Sequence, residues 1–299
     1  MKDEVQFSLA EFMERFSTEE ECERELYRQK WQNGFACPKC GHNEHFITRT
    51  RRLPLYGCKA CRHQTTVTVG TVMEKSTTPL CKWFIAIYMM SNDKRGVSAK
   101  QLQRDLKVAY QTAWSMSHKI KEAIKQGESG MLGGIVQLDE IYVGGGKKGG
   151  KRGRGTKKTK VIIAVSQDKD GKPQRAKCQA VPNLRRKTVN KFVDQNIAHG
   201  TKIRTDKYKI YEKLPDGYLH DAMQSTLESE HLRWLHVIAS NLKSFIQGTF
   251  HGLDSIHLQR YLDEFTWRFG RRYSRGNQFF SLLRTCASTN VTTYSELTG

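Results

Sequence analysis

The chain has 299 residues, with 50 Lys and Arg against 30 Asp and Glu, a formal charge of +20 at pH 7. A surplus of that size draws a chain to polyanions, of which nucleic acid is the commonest. A hydrophobic fraction of 37% argues against a disordered chain. No apolar stretch approaches the roughly 18 residues of a membrane span, so no membrane association is expected.

The length allows two or three domains with sizeable cores. The first ten residues carry acids and no apolar run, so no signal peptide is expected. Eight cysteines in such a chain predict a reducing cytoplasm with a metal site rather than disulfides. Residues 1–33 read as helical: Leu9, Phe12, Met13 and Phe16 have helical spacing. Ser17 and Glu20 are placed as the capping box of a second helix.

Residues 34–75 carry two C-x2-C pairs, Cys37/Cys40 and Cys58/Cys61. Zinc takes four soft ligands at tetrahedral corners, and each pair supplies two. The spacing predicts a structural four-cysteine zinc ribbon, with strands near 45–50, 55–58 and 64–69. Cys22, Cys81, Cys178 and Cys286 are scattered and read as buried thiols.

Residues 76–130 are helical in pattern. An apolar helix covers 79–90, a second begins after Ser98, and a third runs over 110–120. The last two flank a tight turn, and the third carries Gln111, Thr112, Ser115, Ser117, His118 and Lys119. This reads as a helix-turn-helix that contacts DNA, against the alternative of a plain helical linker.

From Ile135 the period changes to that of strands, and 131–299 reads as one catalytic domain. Strands are expected at 135–143, 161–166, 176–181 and 202–206, and helices at 186–198, 231–246 and 258–269. Three strands, a helix, a strand and then helices is the order of a ribonuclease-H-like fold. The whole chain is thus expected to be a multidomain protein of mixed α+β and α/β character. Between the first two strands of the core, residues 144–160 are almost wholly glycine and cations. Lys147, Lys148, Lys151, Arg152, Arg154, Lys157 and Lys158 are candidate phosphate-backbone contacts. Arg268, Arg271 and Arg272, with Trp267 and Tyr273 among them, suit a backbone-contacting helix.

Asp139 lies inside an apolar strand and Asp206 ends another. A carboxylate in an apolar strand is costly to bury unless a cation holds it. Two of them on neighbouring strands would make a hard-oxygen site for Mg²⁺ or Mn²⁺. Such a site suits phosphodiester cleavage. Glu140 follows Asp139 and faces the opposite side of its strand, so it is not taken as a ligand.

Four further stretches carry a resemblance. They are Gly34-Phe35-Ala36-Cys37-Pro38-Lys39-Cys40-Gly41, Leu138-Asp139-Glu140-Ile141-Tyr142-Val143-Gly144-Gly145, Thr205-Asp206 and Gly248-Thr249-Phe250-His251. A fifth is His257-Leu258-Gln259-Arg260-Tyr261-Leu262-Asp263-Glu264-Phe265. Through these the chain resembles the insertion-sequence transposases of the DDE superfamily, in the group with an N-terminal zinc ribbon and an ISXO-like catalytic domain. The resemblance implies binding to the ends of an insertion sequence, with metal-dependent cleavage and strand transfer. It implies double-stranded DNA as partner, a homo-oligomer on that DNA, and Asp139 and Asp206 as the first two metal ligands.

The third ligand departs from the family pattern of a Glu seven residues before a Lys or Arg. Counting back from Lys243 gives His236. Seven residues advance a helix by about 700°, so the two share a face. Asn241 remains the alternative as an amide-oxygen ligand, and Glu228 or Glu230 a third. Lys243 would approach a phosphate. Two rival functions stay open at this point: a DNA-binding regulator with a dead core, and a nuclease without strand transfer.

Overall fold

A computed structural model describes residues 7–128, 130–144, 158–224, 230–273 and 278–298. They fall into two compact units, Met1–Gly127 with Ser274–Gly299, and Glu128–Tyr273.

The first unit opens with α1 (Leu9–Arg15) and α2 (Glu19–Lys30), each begun by a capping box. The pairs are Ser8 with Glu11 and Thr18 with Glu21. The box expected at Ser17 and Glu20 is therefore one residue later. Thr18 is the residue with extended backbone, φ −120° and ψ 156°, so its side chain meets the free amides. Strands β1 (His45–Thr48), β2 (Leu55–Cys58) and β3 (Gln64–Thr65) form an antiparallel sheet. Tyr27, Trp31, Phe35, His45 and Tyr56 pack as one ring cluster beside it.

Helices α3 (Leu80–Asn92), α4 (Ala99–Leu106) and α5 (Tyr110–Gly127) follow. Ser98 caps α4 as expected, accepting from the Gln101 amide at 3.1 Å. The three-residue turn into α5 begins at Lys107, in the left-handed region at φ 48°. On α5, Gln111 is exposed and Thr112, Ser115 and Lys119 are half-buried, whereas Ser117 and His118 are buried. His118 stacks on Trp114 with ring centroids 4.0 Å apart. Those last two side chains therefore belong to the helix packing and not to a surface that could read DNA.

Helices α9 (Gln278–Ser288) and α10 (Tyr294–Thr298) close the chain. Phe279, Leu282, Leu283 and Cys286 line the buried face of α9 at helical spacing. Phe279 lies 5.3 Å from Phe12 and 5.5 Å from Phe16, ring to ring. The last helices thus complete the core of the first unit. The catalytic domain expected over 131–299 is cut short at Tyr273, because this apolar stripe finds its cover among the amino-terminal aromatics.

The second unit is a five-stranded mixed sheet with helices on both faces. Its strands are β4 (Ile135–Val143), β5 (Thr159–Gln167), β6 (Pro173–Val181), β7 (Lys202–Thr205) and β8 (Leu219–Ala222). The order is β6-β5-β4-β7-β8. The first three strands are antiparallel, and β7 and β8 add in parallel. Counted within the unit this is 3-2-1-4-5, the ribonuclease-H-like arrangement. Strand β8 was not expected. Its four residues, Leu219-His220-Asp221-Ala222, are mostly exposed at a sheet edge and carry no apolar period.

Alternation along β4 sorts its residues between the two faces. Val136 and Leu138 pack with Val189, Phe192 and Val193 of α6 (Arg186–Asn196). Ile141 and Val143 pack with α7 (Arg233–Thr249) and α8 (Leu258–Gly270). Asp139 has the parity of Ile141 and so faces α7. Edge strand β6 is covered by α8. Gln259 accepts from the Ala180 amide at 2.9 Å and donates to the Cys178 carbonyl at 3.0 Å. Its carboxamide thereby occupies backbone groups that an open edge would offer to another strand.

Candidate functional site

The four cysteines of the ribbon are built by two matching knuckles. The Cys37 amide donates to the His42 carbonyl and the Cys58 amide to the His63 carbonyl, both at 2.9 Å. The Gly41 and Arg62 amides donate back to Cys37 and Cys58. The fifth position of each knuckle is left-handed, φ 75° at Gly41 and 60° at Arg62. Sulfurs of Cys37 and Cys61 lie 3.6 Å apart, as do those of Cys40 and Cys58. A tetrahedral ion about 2.3 Å from each sulfur sets sulfurs about 3.8 Å apart, so the donor set fits one zinc ion. Cys58→Ser protein is expected to lose its zinc and the ribbon's fold together, because metal binding is folding free energy in such modules. Metal analysis with circular dichroism checks this, and unchanged zinc content would refute the assignment.

In the second unit, strand β4 carries Asp139 to the face covered by α7. Its Oδ2 lies 3.8 Å from Nε2 of His236 on α7, with side chains 19% and 56% exposed. Its Oδ1 accepts from the Glu140 amide at 2.7 Å. The carboxylate raises the pKa of His236 above the ordinary imidazole value, opposed by partial burial and by the Lys243 charge.

Asp206 directly follows β7. The parallel register pairs Ile135 with Lys202, Val136 with Ile203 and Gln137 with Arg204. Carried two residues further, it sets Asp206 level with Asp139. The Asp206 carboxylate accepts from the Tyr208 amide at 3.0 Å. The buried Tyr211 hydroxyl donates to Glu140 at 2.8 Å. Its pKa is raised first by burial and then by the charges of Glu140, Asp139 and Asp206. Tyr211 therefore holds Glu140 on the face of β4 opposite Asp139.

Asn241 is exposed on α7, about 140° around the helix from His236. It does not share the face that meets Asp139. Glu228 lies outside the described residues, and of Glu230 only the backbone, in a 3-10 turn Glu230–Leu232, is described. Lys243 and Lys158 line one small pocket of about 90 Å³ with Tyr142, Val143 and Gly144 at the end of β4. Lys147, Lys148, Lys151, Arg152, Arg154 and Lys157 lie outside the described residues. Among the described residues, the four cysteines alone bring three or more His, Cys, Asp or Glu donors within 4.8 Å of one another. Asp139, His236 and Asp206 are an open set by comparison. Two hard carboxylates with one imidazole nevertheless suit Mn²⁺ or Mg²⁺ in donor type.

The three arginines expected to contact DNA are engaged within the unit, and all three are partly buried. Arg268 is paired with Glu264 at 2.7 Å, with side chains 10% and 0% exposed. Arg271 pairs with Glu128 and lies 4.8 Å over the Trp267 ring. Arg272 donates to the Pro173, Gln174 and Phe269 carbonyls. They join the end of α8 to the start of β6 and to Glu128, because α8 ends against these carbonyls and this carboxylate. Arg268→Ala is expected to destabilise the unit by about 3–5 kcal/mol, since it removes one partner of a buried ion pair. The double variant Glu264→Leu/Arg268→Met should recover most of that in urea unfolding.

Sequence reasoning missed three residues here. Tyr211 gave no periodic signal. Gln137 was read as part of an apolar run. His231 reads as the first residue of a helix.

Two family models match the chain. Residues 131–270 match the ISXO2-like transposase domain, and residues 17–64 match the transposase zinc-ribbon domain, together more than half of the chain. Over 138 residues the chain is 31% identical to an uncharacterized protein in transposable element ISH50 of Halobacterium salinarum. That match spans 46% of this chain and 46% of the relative, about half the length of each. A chain of the simian T-cell lymphotropic virus intasome, solved in complex with PP2A regulatory subunit B56 gamma, superposes with a TM-score of 0.28. At 11% identity over 56% of this chain and 65% of that one, the superposition is too loose to bear on function. A zinc-ribbon module followed by an ISXO2-like domain with Asp139 on its central strand places this chain among the insertion-sequence transposases of the DDE superfamily.

Proposed function

We propose that the chain binds the ends of an insertion sequence and cleaves and joins DNA at its second unit. The observation that carries this is Asp139 on the central strand facing His236 at 3.8 Å, with Asp206 level with it by register. Asp139, Asp206 and His236 would hold Mg²⁺ or Mn²⁺. A bound divalent ion polarises a phosphoryl oxygen and lowers the pKa of a water or hydroxyl. The chain's own part is to set two carboxylates and an imidazole around the scissile phosphate. Lys243 and Lys158, which share a pocket at the end of β4, hold the neighbouring phosphates. Zinc in the ribbon is structural.

The experiment is cleavage and strand transfer on labelled duplexes carrying the element's own ends, in Mg²⁺ and in Mn²⁺. Cleavage with joining supports the proposal. Cleavage without joining makes the protein a nuclease. End-binding without cleavage in either ion favours a DNA-binding protein with a dead core, the reading that a histidine at the place of the family's glutamate supports.

A further inference from the structure

Helix α7 carries His236, yet it starts without help from its own sequence. Its N-cap, Leu232, makes no side-chain hydrogen bond to the first turn. The first amides of a helix have no partner within it and need one from elsewhere. The Leu235 amide finds Oε1 of Gln137 at 2.8 Å. Gln137 is fully buried and lies two residues before Asp139, on the same face of β4. Its carboxamide thus caps α7 from the strand beneath it, one residue before His236.

His231, just ahead of the helix, does the same toward the other strand. Its Nε2 lies 3.1 Å from the Thr205 carbonyl and 3.1 Å from the Asp221 carbonyl, and the residue is 7% exposed. Two carbonyls around one nitrogen require an N–H there, so Nε2 is the protonated nitrogen. The Thr205 carbonyl belongs to the peptide that leads into Asp206. One buried side chain therefore ties α7 to the strand of Asp139, and the other ties it to the end of the strand of Asp206.

We propose that Gln137 and His231 are positioning residues that fix the axial and rotational register of α7, and so the placing of His236 against the two aspartates. Apolar packing alone does not fix that register, because dispersion and burial are non-directional. A slip of one residue moves a helical side chain by about 1.5 Å and 100°. Metal sites tolerate about 0.2 Å in ligand distance. Two directional hydrogen bonds at the helix start prevent such a slip. Loss of a group that orients a metal ligand costs about 10–100-fold in metal affinity.

The inference rests on the proposed metal site, and its test separates the two. Gln137→Met keeps the volume and removes the acceptor. His231→Gln is an independent variant for the other tie, should the first fail to fold. Two readouts are needed: hydrogen exchange at the Leu235 amide without metal, and Mn²⁺ affinity by electron paramagnetic resonance without DNA. In Gln137→Met we expect Leu235 to lose protection and Mn²⁺ to bind about tenfold or more weakly, with bulk secondary structure retained. His231→Gln should weaken Mn²⁺ binding similarly. Wild-type Leu235 protection and wild-type Mn²⁺ affinity in the variants would overturn the positioning role. If Mn²⁺ binding by the wild type is itself indifferent to His236→Ala, the metal-site reading fails, and the role given to Gln137 and His231 falls with it. Lost Leu235 protection in Gln137→Met would then mark that failure as the site's and not the brace's.

Discussion

Asp139→Asn protein is expected to bind the ends of its element as the wild type does and to cleave them about a thousandfold more slowly. The change keeps the size of the side chain and removes one charge. Asp139 sits with its side chain 19% exposed beside His236, and asparagine fills the same space, so the fold should be kept. A divalent ion contributes several kcal/mol of transition-state stabilisation, and about 4 kcal/mol corresponds to a factor near a thousand. Asp206→Asn should behave alike, because the β4–β7 register, carried two residues further, sets Asp206 level with Asp139. The check is end-binding by gel shift beside cleavage of the same duplex. Normal cleavage by either variant would remove that aspartate from the site. Loss of binding together with cleavage would point to a structural role.

His236→Ala is expected to abolish cleavage, and the wild type is expected to lose activity as pH falls. Imidazole ligates a metal only when neutral. Asp139 raises the His236 pKa above its ordinary value of 6.5, so the proton competes with the metal from a pH above that value downward. The same shift has a stability consequence of opposite sense. The ion pair with Asp139 stabilises the metal-free fold below about pH 6.5, and that contribution is lost as pH rises through the raised pKa. It is small, since the imidazole is more than half exposed and water screens the pair. Rate against pH at several Mn²⁺ concentrations gives the test. The half-point should lie above 6.5 at low Mn²⁺ and move down as Mn²⁺ rises. An imidazole suits Mn²⁺ better than Mg²⁺, so Mn²⁺ should support the faster reaction, and His236→Glu should shift the preference toward Mg²⁺. Normal cleavage by His236→Ala beside an inactive Asn241→Ala would move the third ligand to Asn241.

Local spacing carried a large share of this molecule. Two C-x2-C pairs announced the ribbon because each knuckle is a closed local structure whose geometry its own five residues dictate. The run 135–143 announced β4 to the residue. Strand alternation put Glu140 opposite Asp139, and Glu140 indeed meets Tyr211 on the α6 side. The 3.6-residue period gave α8 to within one residue of its end. Helical angle alone put His236 and Lys243 on one face.

What tertiary structure decided are the matters of partnership. An arginine on a helix looks the same in sequence whether it faces a phosphate or a buried glutamate. Arg268 lies four residues after Glu264, and only the packing of α8 on β6 makes that pair internal. The stripe Phe279, Leu282, Leu283 and Cys286 shows that a face must be covered, while the identity of the cover depends on aromatics more than 250 residues earlier. Gln137 reads as one polar residue in an apolar strand. Its role appears once α7, almost 100 residues on, brings an uncapped amide to it. Periodicity is a property of neighbours in sequence and fixes which face is apolar. The choice of what meets that face belongs to contacts between distant residues, which no local window contains.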